Sequence, residues 1–157
     1  MKFILLLVLA IAIYFVFCFN SPRVICMPVI NATRNSYDQK SFGAPRMGHT
    51  HKGVDIFARR GTAVLSATSG VVIFTGYLSL GGKAVTVLSP DLKLFYYAHL
   101  DTILTSRMTW VSAGELIGRV GNTGNARNTP SHLHFSVCQI LPYKRFFDPV
   151  PLLNSVQ

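Results

Sequence analysis

Charged residues, and acidic residues above all, are scarce in this chain. Of its 157 residues 13% are charged, where soluble proteins have about 25%. The 6 acidic residues are outnumbered by 15 basic ones. Half of the residues are hydrophobic, and glycine and proline are spread along the chain. This composition excludes a disordered, collagen-like or low-complexity protein, and the length is that of one ordinary domain.

Glutamate and cysteine are also rare. The single glutamate, Glu115, lies in a turn-like stretch, which excludes a zinc protease built on a His-Glu-x-x-His helix. No Gly-x-Ser-x-Gly elbow and no phosphate-binding loop is present. Of the three cysteines, Cys18 lies in an apolar run. Cys26 and Cys138 could form a disulfide in an oxidising compartment or remain two buried thiols, and both alternatives stay open.

Much of the apolar excess lies at the front, where residues 3–19 carry no charged side chain. Such a run spans roughly 26 Å as a helix, the lower limit for crossing a bilayer. Lys2 and the amino terminus put positive charge before it, which favours export of the rest, and no Ala-x-Ala cleavage site follows. We expect an uncleaved signal-anchor at residues 1–19 in the inner (cytoplasmic) membrane, with the remainder in the periplasm. A cleaved signal, and therefore an exported chain, is the alternative.

The formal net charge of +9 raises the question of an anionic partner. The basic residues are scattered and form no dense stripe, and no nucleic-acid-binding motif is present. An exported chain rarely meets nucleic acid. An anionic polymer or membrane surface outside the cytoplasm is therefore the expected partner, and nucleic acid is not.

From residue 41 on, short apolar runs alternate with turn residues at intervals typical of an all-β protein. Residues 20–41, by contrast, are weakly patterned, and we interpret them as a connector that ends in docking segments. No long helical stripe follows residue 20, so we expect one antiparallel β domain. The predicted strands are Ala63–Ala67, Gly70–Gly76, Lys83–Ser89, Leu92–His99, Glu115–Val120 and His132–Val137.

All five histidines fall at three places: His49 with His51, then His99, then His132 with His134. Catalytic zinc sites take three protein ligands, often imidazole and carboxylate, and keep an open position for water. His132 and His134 alternate along a strand and therefore project from one face, about 6.6 Å apart. That spacing indicates that one binds the metal and the other stands beside it.

Asp55 follows His51 by four residues, which is about 13 Å in a straight strand and too far to share an ion. The two can meet only if Gly53 adopts an unusual backbone conformation, a bend or a bulge. A surface loop that happens to carry both residues is the alternative. His99, at the end of a strand, is a structural histidine unless the other candidates join it. His49 could replace His51 as a ligand, but we expect it in solvent.

These residues resemble the three signature motifs of the lysostaphin-like zinc metallopeptidases, which cut peptide bonds in peptidoglycan. The resemblance covers about residues 42–150, and the stretch Gly121–Phe135 is similar to the membrane-anchored branch of Gram-negative bacteria. Gly81-Gly82-Lys83 departs from many relatives, which bears on substrate preference. The matching motifs are His51-Lys52-Gly53-Val54-Asp55, Tyr97-Ala98-His99-Leu100 and His132-Leu133-His134-Phe135, with Phe42–Arg46, Gly61–Val64 and Gly114–Gly124 between them.

The resemblance implies His51, Asp55 and His134 as ligands of one zinc ion, with His99 and His132 as the catalytic pair beside it. It leaves open which of the two is the general base. It also implies a β barrel-sandwich of the duplicated hybrid motif type over residues 42–150, with the zinc in an open groove and residues 151–157 as a tail.

The expected function is that of a zinc-dependent endopeptidase that hydrolyses the stem-peptide cross-links of peptidoglycan through a zinc-activated water. The alternative is a non-catalytic module of the same fold that binds the wall or regulates other hydrolases. A basic adhesion or nucleic-acid module ranks last. Regulation by a protein partner stays an open alternative, and the sequence identifies no such partner.

Overall fold

The computed structural model of the chain describes residues 3–9, 25–46, 48–139 and 144–156. A C-terminal helix covers Val150–Asn154, and two 3-10 turns cover Arg34–Ser36 and Gly124–Ala126. The described strands, numbered in chain order, are β1 (Pro45–Arg46), β2 (His49–Thr50), β3 (Val54–Phe57), β4 (Ala63–Leu65), β5 (Gly70–Leu78), β6 (Gly82–Leu88), β7 (Lys93–Ile103), β8 (Trp110–Val111), β9 (Leu116–Val120), β10 (His132–Gln139) and β11 (Arg145–Phe147).

Nine of these strands form one antiparallel sheet in the order β11-β10-β7-β6-β5-β8. β3 also pairs with β10, and β9 pairs with both β7 and β4, while β1 and β2 form a separate hairpin. Each of the six strands expected from the sequence overlaps an observed one, namely β4, β5, β6, β7, β9 and β10. The all-β, antiparallel class is therefore confirmed.

The expected barrel-sandwich is wrong, because the sheet is open. Its strand path runs from β11 at one edge to β8 at the other, and these two strands do not pair with each other in the described part of the chain. Register shifts between Val72 and Phe74 and between Leu100 and Thr102 interrupt the ladders, as β-bulges do when they bend a sheet. Alternation along a strand shows which face of the sheet each residue occupies. It does not show which strands lie at the edges of the sheet.

The core includes residues from the segment that the sequence assigned to a connector. Val29 forms an isolated bridge with Val64, and Tyr37 forms one with Ile56. All four side chains are buried in the main hydrophobic cluster. The part of the connector at residues 25–41 therefore packs on the sheet next to β3 and β4. The domain limits expected from the sequence stay a prediction.

The signal-anchor expected at residues 1–19 lies largely outside the described residues. Residues 3–9 are helical and exposed. Within the four described ranges, no helix combines the length and the apolar character that crossing a membrane requires. The anchor therefore stays a prediction.

Cys26 and Cys138 are free thiols, so the disulfide alternative does not hold. The Cys26 thiol donates to the Ser66 carbonyl oxygen at 3.1 Å, and burial raises its pKa. Cys138 is buried in β10. Cys18 lies outside the described residues.

Tyr97 links the core to the turn before β5. Its side chain is fully buried, and its hydroxyl oxygen accepts a hydrogen bond from the Ala67 backbone N–H at 2.8 Å. We expect Tyr97→Phe to lower the free energy of unfolding by about 1–3 kcal/mol, because the buried Ala67 N–H loses its acceptor. Urea denaturation of the full chain measures this. Tyr77→Phe is the control, since Tyr77 is 55% exposed. Equal losses in the two variants would contradict the assignment.

Candidate metal centre

Three neighbouring strands bring the candidate residues together. β10 lies between β3 and β7, and the register sets His134 opposite Asp55 on one side and opposite Ala98 on the other. Directly opposed residues have Cβ atoms about 4.5–5.5 Å apart. His132 and His134 share one face of β10, as the alternation predicted. The site is therefore a consequence of antiparallel register.

His51 joins this group through a bend at Gly53. The expectation of a bend is confirmed, but the φ angle of Gly53 is not in the left-handed region. Glycine is required for a different reason, which is the close approach of β10. A Cβ atom on Gly53 would lie 2.5 Å from the Phe135 carbonyl oxygen and 2.8 Å from two ring atoms of His134.

The donor atoms of three side chains converge on one point. His51 Nε2 lies 3.1 Å from Asp55 Oδ1 and 3.0 Å from His134 Nδ1, and these last two atoms are also 3.0 Å apart. Ligands of a tetrahedral zinc ion, bound at about 2.0–2.1 Å, lie roughly 3.3 Å from each other. The spacing is therefore close to that of three ligands of one ion.

The protonation of His51 favours a cation at this point. Its Nδ1 lies 2.9 Å from the Ser41 carbonyl oxygen. A carbonyl can only accept, so Nδ1 carries the proton and Nε2 directs a lone pair at the cluster. Donor atoms that face each other in this way repel unless a positive charge lies between them. Two imidazole nitrogens and one carboxylate oxygen are a donor set that suits zinc.

Asp55 is held as a carboxylate. Burial would raise its pKa, but the close polar contacts with the His134 and His51 rings outweigh burial and hold the pKa well below its usual range. Its second oxygen, Oδ2, accepts a hydrogen bond from Arg46 Nη2 at 2.8 Å. Burial also lowers the pKa of His134. Both side chains are therefore in the forms that bind a metal ion.

His99 and His132 stand beside the donor atoms with a fixed tautomer. The Nδ1–H of His99 donates to the Thr123 carbonyl oxygen at 2.9 Å, and that of His132 donates to the Pro130 carbonyl oxygen at 2.8 Å. Nε2 is therefore the unprotonated nitrogen of each ring. The ring centroids are 5.0 Å apart, and His132 Nε2 lies 3.9 Å from Asp55 Oδ1.

The backbone of His99 is strained. Its φ angle is 61°, in the left-handed region that side chains other than glycine rarely adopt. Its N–H donates to the Gly81 carbonyl oxygen at 2.7 Å, which holds the residue in this conformation. Such strain is concentrated at functional sites. Burial, and next the charge of His132, lower the pKa of His99 to about 4, so this ring is neutral at neutral pH.

These side chains open into a groove of about 620 Å³. Among the described residues that line it, Arg46 and Asp55 carry a formal charge. The remaining lining apart from the histidines is apolar or neutral: Phe57, Leu80, Gly81, Tyr96, Ala98, Asn125, Ala126, Thr129 and Pro130. The lining of the groove is therefore mostly uncharged.

The structure brings together all five residues expected from the sequence. The side chain of His49 lies outside the described part, so its expected solvent position stays a prediction. Sequence reasoning missed the carbonyl groups of Ser41, Thr123 and Pro130, since every residue carries a carbonyl. The sequence also indicated no role for Arg46, which appeared only as the last residue of the matching segment Phe42–Arg46.

Comparison with known proteins identifies the family. Residues 49–149 match the model of peptidase family M23. The chain belongs to this family. Its members include zinc-dependent enzymes that act on peptidoglycan, so the expected resemblance is confirmed at that level. The membrane-anchored branch stays a prediction.

Relatives of this M23 chain include both peptidases and an activator. The murein hydrolase activator NlpD of Escherichia coli is 33% identical over 62% of the chain and 25% of its own length. The peptidoglycan DD-endopeptidase ShyA of Vibrio cholerae is 33% identical over 68% and 24%. Lysostaphin of Staphylococcus simulans is 30% identical over 80% and 26%. The chain thus spans about a quarter of the length of these relatives.

Solved structures have the same fold. The catalytic domain of lysostaphin aligns with a TM-score of 0.62 and 29% identity, over 72% of this chain and 86% of that domain. A zinc-containing peptidase of Vibrio cholerae aligns with a TM-score of 0.63 and 27% identity, over 79% of this chain and 38% of the other.

Gly53→Ala tests the close approach at the bend. The new methyl group would meet the Phe135 carbonyl and the His134 ring, so we expect His134 to be displaced and zinc binding to weaken by at least tenfold. Competition with a chromogenic chelator measures the affinity. Gly76→Ala is the control, because the nearest atom to its Cβ would be 3.2 Å away on the flexible Phe74 ring. Unchanged affinity in Gly53→Ala would contradict the packing described.

The pKa of His99 has a consequence for stability. An unfolded histidine titrates near 6.5, whereas His99 in the metal-free native chain titrates near 4. Between these values the unfolded chain binds a proton that the native chain does not, so stability falls as the pH drops from 6.5 towards 4. NMR of 15N-labelled imidazoles should find His99 neutral at pH 5. A midpoint near 6.5 in the native chain would contradict the effect of burial.

Proposed function

We propose that this chain is a zinc-dependent endopeptidase that hydrolyses peptide cross-links of peptidoglycan. The observation that carries the proposal is the convergence of His51 Nε2, Asp55 Oδ1 and His134 Nδ1 within 3.0–3.1 Å of each other in the lining of a groove. Membership of the M23 family supports the substrate class. One zinc ion per chain is the proposed cofactor.

His51, Asp55 and His134 would hold the ion. When bound, zinc would lower the pKa of a water molecule to about 7 and polarise a substrate carbonyl. Asp55 adds a negative charge to the ligand set, and the Ser41 carbonyl keeps the His51 proton on Nδ1. The chain thus supplies an anionic, oriented set of donors.

His99 and His132 would move the protons. Each carries its proton on Nδ1, which leaves Nε2 free to accept a proton from the attacking water and later to donate it to the leaving amine. Once protonated, the His132 ring can stabilise negative charge on the carbonyl oxygen. The lowered pKa of His99 makes it a weak base, so we assign the role of general base to His132. The unprotonated Nε2 of His99 would serve as a hydrogen-bond acceptor that orients the attacking water.

The alternative function is that of a non-catalytic activator of other hydrolases. The relative NlpD, which is named as a murein hydrolase activator, supports this alternative at 33% identity over 62% of the chain. The complete set of three donors and two proton-accepting imidazoles favours catalysis over this alternative. Action in the periplasm from a membrane anchor at residues 1–19 remains part of the proposal, and it rests on the apolar run at residues 3–19.

Digestion of purified peptidoglycan tests the proposal. The zinc-loaded full chain should release soluble fragments and expose new amino groups, and a chelator should stop the reaction until zinc is restored. His134→Ala should lose both zinc and activity. His99→Gln and His132→Gln should keep stoichiometric zinc and lose at least about 100-fold in rate, because they remove only proton transfer or hydrogen bonding in the transition state.

Mass spectrometry of the fragments identifies the bond that is cut. A chain that binds one zinc ion but releases no fragment, while stimulating a separate wall hydrolase, would contradict the enzyme and establish the activator. Release of fragments that a chelator does not affect would contradict the metal mechanism.

A further inference from the structure

Arg46 is the one residue of the groove whose charge is not explained by the chemistry above. It belongs to β1, and its Nη2 donates to Asp55 Oδ2 at 2.8 Å. Asp55 Oδ1 meanwhile faces the nitrogens of His51 and His134. The two oxygens of one carboxylate are therefore divided between an arginine and the donor cluster, which keeps Asp55 turned with a single oxygen towards the metal position.

The hydrogen bond to Asp55 uses only part of the donor capacity of the Arg46 guanidinium. Arginine has five N–H donors. Nη2 also lies 3.4 Å from His51 Nδ1, but that nitrogen carries its own proton and cannot accept. Within the described part of the chain, Asp55 is thus the acceptor that Arg46 uses. The Arg46 side chain is 45% exposed while that of Asp55 is 13% exposed, so free donors remain accessible at the groove.

The electrostatics of the groove make this arginine selective for an anion. Among the described lining residues it is the only one with a formal positive charge, and Asp55 shares its negative charge between Arg46 and the donor cluster. A guanidinium binds a carboxylate with two parallel hydrogen bonds, which lysine cannot reproduce. A carboxylate on the substrate would find its best partner here, a few ångströms from the metal position.

We propose that Arg46 is a specificity-determining residue that binds a free carboxylate of the substrate close to the scissile amide. The proposal rests on the function proposed above. It assigns as preferred substrates those cross-links in which the amino acid beside the cleaved bond keeps a free carboxylate. Cross-links in which that group is amidated, or is absent as in a chain of glycines, are poorer substrates.

A pair of branched peptides tests this assignment. The two differ only in carrying a carboxylate or a carboxamide next to the scissile amide. The wild-type chain should cleave the acid with a kcat/KM roughly tenfold higher, mainly through KM, because a partly exposed charged hydrogen bond is worth about that factor. In Arg46→Gln the acid-to-amide ratio should fall to about one, and Arg46→Lys should restore only part of it. The ratio is informative even if the variant also perturbs Asp55, since that effect acts on both peptides alike.

Arg60→Gln is the matched control. Arg60 forms an exposed ion pair with Asp101 outside the groove lining, so its loss should leave the ratio unchanged. A ratio near one in the wild type, or one that survives Arg46→Gln, would overturn the assignment and reduce Arg46 to a residue that positions Asp55.

Binding of non-hydrolysable peptides separates this proposal from the proposed function. In these analogues a methylene-amine replaces the scissile amide, and calorimetry on the zinc-loaded chain measures their affinity. Tighter binding of the acid, lost in Arg46→Gln, would support the carboxylate site even in a chain that cleaves nothing. Hydrolysis of natural wall with equal binding of acid and amide would support the enzyme and contradict the carboxylate site.

Discussion

The pairing of β10 with β3 on one side and with β7 on the other is the constraint on which the site depends. Because the register places His134 directly opposite Asp55, His134 Nδ1 and Asp55 Oδ1 lie within 3.0 Å of each other. The same strand carries His132 two residues earlier on the same face. A slip of one residue would turn both histidines to the opposite face and remove the site entirely.

Backbone carbonyl groups then decide which nitrogen of each imidazole is available. Ser41, Pro130 and Thr123 hold the Nδ1 protons of His51, His132 and His99 respectively. His134 is the exception, because its Nδ1 faces Asp55 and its ring packs on the bare backbone of Gly53. The same residue type therefore acts in two orientations, and the difference comes from what each ring packs against.

Predictions from the sequence were accurate wherever local chemistry decides. Alternating apolar residues located six strands, and the two-residue spacing of His132 and His134 correctly put both on one face. The prediction of a barrel was wrong, because closure depends on whether the edge strands β8 and β11 pair with each other. The bend at Gly53 was correctly predicted, but the prediction attributed it to the conformational freedom of the glycine backbone. In the fold it is lack of space beside β10 that requires glycine.

By itself the sequence determined the class of fold, the kinds of ligand available and the motifs that carry them, because these depend on residue type and short-range periodicity. Only the tertiary structure decided that the donor atoms of His51, Asp55 and His134 meet. It also decided that Arg46 binds the second oxygen of Asp55. The physical reason is that both facts depend on strand register and on a hairpin packed beside it. Such contacts join residues far apart in sequence, and no local pattern encodes their distances.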